Sequence, residues 1–305
     1  MMPTREQELA VLGAVIYASI FDYPLTPAQL EASLIGVRAD MTTIERWLRE
    51  SDFLQAAIEY REGLYFPAGR AELVRTRSRR EALSRDLLAR NRGVLSLVSK
   101  MPFVRMIAIS GSLAHLNAEG TADLDLFVIT APHRVWGVTV ATLALAKLLG
   151  WRKRVCMNYV VSENALSIEP RDLFSANQII HLRPIVGRRV FQRFVEKNAF
   201  VREAYPNFEI PDSAHEPVQI RIAERILALG IAPVFERLSR ALYGWHLRRR
   251  ATTWHSRDQV RLETECLKLH TSSHRASTLA KFDTAMREAT TKVRIPATAA
   301  KVRAS

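Results

Sequence analysis

Two carboxylates and a glycine–serine pair stand close together in the stretch MIAISGSLAHLNAEGTADLDLFVIT, which runs from Met106 to Thr130. One apolar run ends at Gly111-Ser112. Ten residues follow, and a second apolar run then opens with Asp123 and Asp125. Side chains alternate along a strand, so these two carboxylates share a face. Held a few ångströms apart they repel each other, and a divalent cation relieves the repulsion. Hard oxygen ligands suit Mg²⁺, which keeps open positions for phosphate. Glycine lets backbone approach a ligand closely, N–H groups at a helix start attract phosphate, and Ser112 adds a hydroxyl. One element thus offers phosphate donors and the next a metal site, which together fit a nucleoside triphosphate.

This pattern resembles the nucleotidyltransferase superfamily typified by DNA polymerase beta: an apolar strand, Gly-Ser, about a dozen residues, then Asp-x-Asp opening a second strand. The resemblance covers about residues 101–168, and its matching residues are Gly111, Ser112, Asp123 and Asp125. It implies that Asp123 and Asp125 are catalytic and hold Mg²⁺, with Mn²⁺ as a substitute, and that Gly111 and Ser112 bind the nucleotide. The activity it implies is transfer of a nucleoside monophosphate from an NTP to an unidentified hydroxyl acceptor, releasing pyrophosphate. The superfamily usually adds a third carboxylate on a later strand. The corresponding run here, RVCMNYVV, has Asn158 instead, which can ligate through its carbonyl oxygen but brings no charge. Glu163 and Asp172 lie downstream, with no spacing that assigns them to the site. The gap leaves an alternative, a nucleotidyltransferase fold with little or no turnover that binds nucleotide, DNA or a partner as a regulatory protein. His115, three residues past Ser112, could reach phosphate from the same helix face or simply pack.

Around this stretch the elements read as α/β (α+β). FVRMIAIS and LDLFVIT are buried strands, and RVCMNYVV is a third. The apolar window Val135–Trp151 is short for a bilayer span and carries Lys147, so it reads as a buried helix. RDLFSANQIIHL reads as a helix closed by Pro184. Residues 101–185 thus form the expected small mixed-sheet nucleotidyltransferase core. Residues 186–305 read as a helical C-terminal region with a loose tail, RIPATAAKVRAS, and help to shape the acceptor site.

Residues 1–70 read as a separate unit with its own caps and apolar faces. Thr26, Pro27 and Gln29 make a capping box, and Thr42 with Glu45 makes another. FLQAAIEYREGLYFP gives two strand-like runs around Arg61-Glu62-Gly63. Three helices and a β-hairpin resemble a winged helix in order and length. Its third helix carries Glu45, Arg46, Arg49 and Glu50, a mixed face, so DNA binding is not favoured over packing or partner docking. Residues 71–100 read as one basic connecting helix.

The chain has 305 residues with a formal charge of +13, which favours anionic partners without choosing among nucleotides, nucleic acid and acidic surfaces. Much of the excess lies in RTRSRR (Arg75–Arg80) and HLRRR (His246–Arg250), both read as solvated helix faces. Trp245 and Trp254 beside the second run are expected in the core. Only two cysteines, far apart in sequence, argue against a disulfide framework and a Cys-based metal site. No stretch reads as a signal peptide or a membrane span, so the expectation is a cytoplasmic protein with no membrane partner.

Overall fold

The computed structural model describes residues 2–120, 122–152, 154–211 and 221–292; the tail expected to be loose lies outside them, as does Lys153. The fold is mixed α/β. The chain opens with α1 (Arg5–Ser19), α2 (Pro27–Ala32), α3 (Met41–Glu50) and α4 (Asp52–Ala57), then a hairpin of β1 (Ile58–Arg61) and β2 (Leu64–Pro67). The capping box at Thr26 and Gln29 forms as expected, with Pro27 at the first helical position. Thr42 is not a cap. Asp40 takes that place, its carboxylate accepting the Thr43 N–H at 2.8 Å. FLQAA is helical, not strand, because Ser51 caps it by accepting the Leu54 N–H. Leu25 pairs with Tyr65 and adds a one-residue third strand to the hairpin.

The connector is two helices, α5 (Glu72–Arg90) and α6 (Arg92–Ser99), parted at Asn91. Its arginines are not all solvated. Arg77 is buried, its guanidinium 3.8 Å from the Tyr23 ring centroid and bonded to the Pro24 carbonyl. Arg80, also buried, donates to the Phe21 carbonyl, Asn117 and Glu119. The two pin α5 between the N-terminal unit and the loop that follows Ser112.

The rest builds around one sheet. In chain order come β3 (Val104–Ile109), α7 (Gly111–Ala114), β4 (Leu124–Thr130), α8 (Val135–Leu148), β5 (Val155–Ser162), α9 (Leu173–Ile180), β6 (Arg183–Val186), α10 (Arg188–Lys197) and α11 (Phe200–Ala204). They are followed by α12 (Arg221–Leu229), α13 (Ile231–Arg249), β7 (Val260–Leu262), β8 (Cys266–Leu269) and α14 (Arg275–Lys292). The strand order is β6-β3-β4-β5-β8-β7, and only β4–β5 is parallel. A parallel pair needs a crossover, which α8 supplies. Helices cover both faces: α6, α8 and α13 over Leu126, Val128 and Met157, and α9 to α11 over Phe127, Ile129 and Val161.

Four expectations for the C-terminal half are corrected. Pro184 does not merely stop a helix; it lies in β6, an edge strand, where a missing N–H is tolerated. The last third is not all helical, since β7 and β8 extend the core sheet. And α14 returns to the N-terminal unit, setting Phe282 and Met286 against the cluster of Leu12, Ile16 and Leu30, so that unit does not complete its core alone. Buried Glu236 fastens α13 by accepting the Trp136 and Gly137 N–H groups at 3.0 and 2.5 Å, which caps the first turn of α8. Trp245 is exposed, under the Arg249 guanidinium, rather than in the core. No helix among the described residues is long and apolar enough to cross a membrane.

Candidate active site

Gly111 and Ser112 leave the end of β3 as β4 begins beside them. The Ser110 N–H donates to the Asp125 carbonyl at 2.9 Å, which brings the turn across the head of β4. Gly111 has φ +65°, and a Cβ built there would meet Asp125 Oδ2 at 2.6 Å. Both the left-handed backbone and the contact demand glycine. The helix that follows, α7, is a single turn, so the element offers local N–H groups and the exposed Ser112 hydroxyl rather than a helix macrodipole.

Asp123 is exposed and immediately precedes β4, while Asp125 is half-buried on the strand. Burial, reinforced by the charge of Asp123, raises the Asp125 carboxyl to about 6. The two expected carboxylates are therefore close enough to feel each other, and no ion pair compensates Asp125 among the described residues.

Asn158 does come to the site, by ordinary alternation two residues beyond Cys156, the residue that pairs with Asp125. Asp125 pairs with Cys156 and Phe127 with Tyr159, so β5 carries one more residue than β4 between those pairs. This bulge leaves Asn158 on the face of Cys156 and Asp125 and turns Tyr159 onto that same face, against the normal alternation. Asn158 Nδ2 donates to Asp125 Oδ1 at 2.6 Å, and its Oδ1 faces Cys156 Sγ at 3.1 Å. Burial, then Asp125 and Asp123, pushes the Cys156 thiol up to about 11, so it stays protonated and donates to that oxygen. The amide orientation follows: its N–H side faces the carboxylate. Asn158 thus steadies Asp125 and does not present the free carbonyl oxygen a metal ligand needs.

The downstream carboxylates are engaged elsewhere. Glu163 pairs with Arg105 and Arg193, and Asp172 caps α9 at the Ser175 N–H while pairing with Arg275. Among the described residues no group of three or more His, Cys, Asp or Glu could hold a metal ion. His115 stacks on His181 with ring centroids 4.0 Å apart and meets Tyr23 edge-on. Burial, with His181 and Arg77 nearby, holds it well below the usual histidine range, so it packs as a neutral ring on the cavity wall.

Two cavities meet at Gly111, Asp125 and Asn158. The larger, about 500 Å³, has Ser112, Asn117, His270, Ser272 and Ser273 among its lining, with Phe21, Phe174 and Leu269. The smaller, about 130 Å³, runs under α9 between Phe127, Tyr159, Phe174, Ile179 and Phe194. Lys268 and His270 on and beside β8 line it too, and the sequence alone places neither at the site. The available signal was the alternation in CLKLH, Cys266–His270, which places Lys268 on the inward face with Cys266. No family model matches this chain, and neither curated proteins nor solved structures give a match.

Proposed function

We propose that the chain is a Mg²⁺-dependent nucleotidyltransferase that moves a nucleoside monophosphate from an NTP to a hydroxyl acceptor. The observation that carries this reading is the fit of Gly111 against Asp125, where even a Cβ would strike the carboxylate. A chain gains nothing structural from packing a bare backbone turn onto a raised carboxylate. It gains a mouth where phosphate donors and carboxylates act on one molecule. On this reading β3, β4 and β5 are the heart of a small nucleotidyltransferase core. The first helices and hairpin, with the Leu25–Tyr65 pairing, form a winged-helix-like unit, and the C-terminal elements close the acceptor side. Two free thiols, Cys156 and Cys266, suit the cytoplasm.

The donor set fits Mg²⁺, which is commonly held by one or two carboxylates plus substrate phosphates. Asp123 and Asp125 would hold it, and the like-charge strain on Asp125 is what a cation relieves. When bound, Mg²⁺ would supply charge neutralisation at the triphosphate. The chain itself does the rest. The Ser112 hydroxyl and turn N–H groups take phosphate oxygens, and Asn158 fixes the Asp125 carboxylate. The acceptor oxygen bonds to the α-phosphorus, the bond from that phosphorus to the bridging oxygen breaks, and pyrophosphate leaves with the electron pair. The hydroxyl proton passes to the solvent that exposed Asp123 faces.

A second reading, nucleotide binding without turnover, has the uncharged Asn158 in its favour. The α3 face, with exposed Glu45 and Arg46, gives DNA no basic excess. Equilibrium dialysis with labelled ATP and Mg²⁺ tests the shared premise. Binding should fall at least about tenfold in Asp123→Asn and Asp125→Asn. Undiminished binding in Asp125→Asn would reduce both carboxylates to ordinary strand-end residues.

A further inference from the structure

Lys268 is a buried cation that the transfer chemistry leaves unused. It is only 6% exposed, on β8, one strand in from the sheet edge and opposite Tyr159. Its ammonium reaches the Glu169 carbonyl at 3.4 Å and Gln259 Oε1 at 3.2 Å, and lies 5.3 Å from the Tyr159 ring centroid. All three partners are neutral. Among the described residues no carboxylate lies within ion-pair distance, and burial holds the ammonium below the ordinary lysine value. A buried charge with only neutral partners is costly, and an incoming anion offsets that cost.

The space beside it has a definite shape. Lys268 lines the smaller cavity together with Asp125 and Asn158, and the walls between are Phe127, Tyr159, Phe174 and Phe194. Its volume, about 130 Å³, is close to that of the engineered cavity of about 150 Å³ that takes benzene. Lys268 does not line the larger cavity, where Ser112 stands. Lys268 lines only the smaller cavity and Ser112 only the larger, so an anion held by Lys268 and a phosphate held at Ser112 occupy different spaces that meet at Gly111, Asp125 and Asn158.

We propose that the smaller cavity is the acceptor site, and that the acceptor is a small, one-ring molecule with a carboxylate held by Lys268 and a hydroxyl at the Asp125 end. This rests on the transferase reading for the name acceptor, but the anion site itself does not. In the transfer the hydroxyl oxygen bonds to the α-phosphorus, pyrophosphate leaves, and the carboxylate stays an unreacted anchor.

The test uses the full chain with 4-hydroxybenzoate, benzoate and benzyl alcohol as probes, read by calorimetry and thermal shift. The wild type should bind the two carboxylates at least tenfold more tightly than benzyl alcohol. Lys268→Met, which keeps the length and suits apolar walls, should erase that preference while still binding benzyl alcohol. Lys268→Gln serves if the methionine variant fails to fold, and the wild-type comparison needs no variant at all. Equal binding of benzoate and benzyl alcohol, no binding of either at millimolar concentration, a preference that survives in the variants, or displacement of benzoate by Mg-ATP would each overturn the assignment. Mg-ATP binding by the wild type is measured alongside. Benzoate bound through Lys268 without Mg-ATP binding would leave the anion site standing and remove the transferase reading. Mg-ATP binding with no carboxylate preference would do the reverse.

Discussion

Asp125→Asn keeps the shape of the side chain and its bond to Asn158 while removing the charge. In the wild type the folded carboxyl is raised from 3.8 to about 6, first by burial and then by Asp123. A shift of about two units corresponds to about 3 kcal/mol, and solvent screening of a half-buried group trims this to about 2. The sign follows from linkage. Below pH 4 the residue is protonated in both folded and unfolded chains, so wild type and variant should be equally stable. Between pH 4 and 6 the unfolded chain ionises first, and the wild type loses stability. Above pH 6 both states are ionised and the full penalty stands. In chelator, the variant should therefore melt about 4 °C above the wild type at pH 8 and together with it at pH 4. Adding Mg²⁺ and ATP should raise the melting temperature of the wild type and leave the variant unmoved. Asp123→Asn should recover the smaller part, since burial is the larger cause. A variant less stable than the wild type at pH 8, or a difference that ignores pH, would refute the claim that this carboxylate is strained.

Gly111→Ala should cost about 1–2 kcal/mol for the left-handed backbone and, by pushing the Asp125 carboxylate aside, weaken Mg-ATP binding at least about tenfold in a dialysis assay. Arg77→Ala should destabilise by about 2–3 kcal/mol in urea melts, through its lost stacking on Tyr23 and the Pro24 bond. Arg75→Ala, at an exposed position of the same run, should stay within about 0.5 kcal/mol. Burial lowers His115 and takes His181 and His270 down to about 4, so all three fold as neutral rings. Their contribution is present above pH 6.5 and is lost as pH falls from there toward 4. His181→Gln should flatten that acid slope in urea melts run across the same window.

The candidate site was legible where chemistry and local spacing coincide. Gly111-Ser112 and Asp123-x-Asp125 sit at strand ends set by apolar runs, and those runs do form β3 and β4. Asn158 was legible as a polar residue in an apolar strand. Its role was not, because the register that sets it beside Asp125 depends on the pairing of β4 with β5 across the α8 crossover. Asp40 displaced Thr42 as a cap because two adjacent candidates differ only in the geometry they reach. Arg77 and Arg80 read as solvent-facing because a helix sequence does not say what packs on it; here Tyr23 and the loop after Ser112 do. Lys268 and the β7–β8 pair were missed for the same reason. Short strands between helices carry little periodic signal, and their place in the sheet is fixed by partners such as Tyr159. The mixed α/β class followed from long apolar runs, which need no such partner information.

The central claim is transfer of the α-phosphoryl group and its nucleoside by a site built on Asp123 and Asp125. The most direct measurement incubates the full chain with Mg²⁺, a cell extract as acceptor source, and ATP labelled at either the α- or the γ-phosphate. The other three NTPs are tested in the same way. With α-label, wild-type protein should yield a new labelled product that Asp125→Asn does not form, and with γ-label the radioactivity should appear only in pyrophosphate. Label carried from the γ-position into product, or an α-labelled product formed equally by Asp125→Asn, would contradict the account.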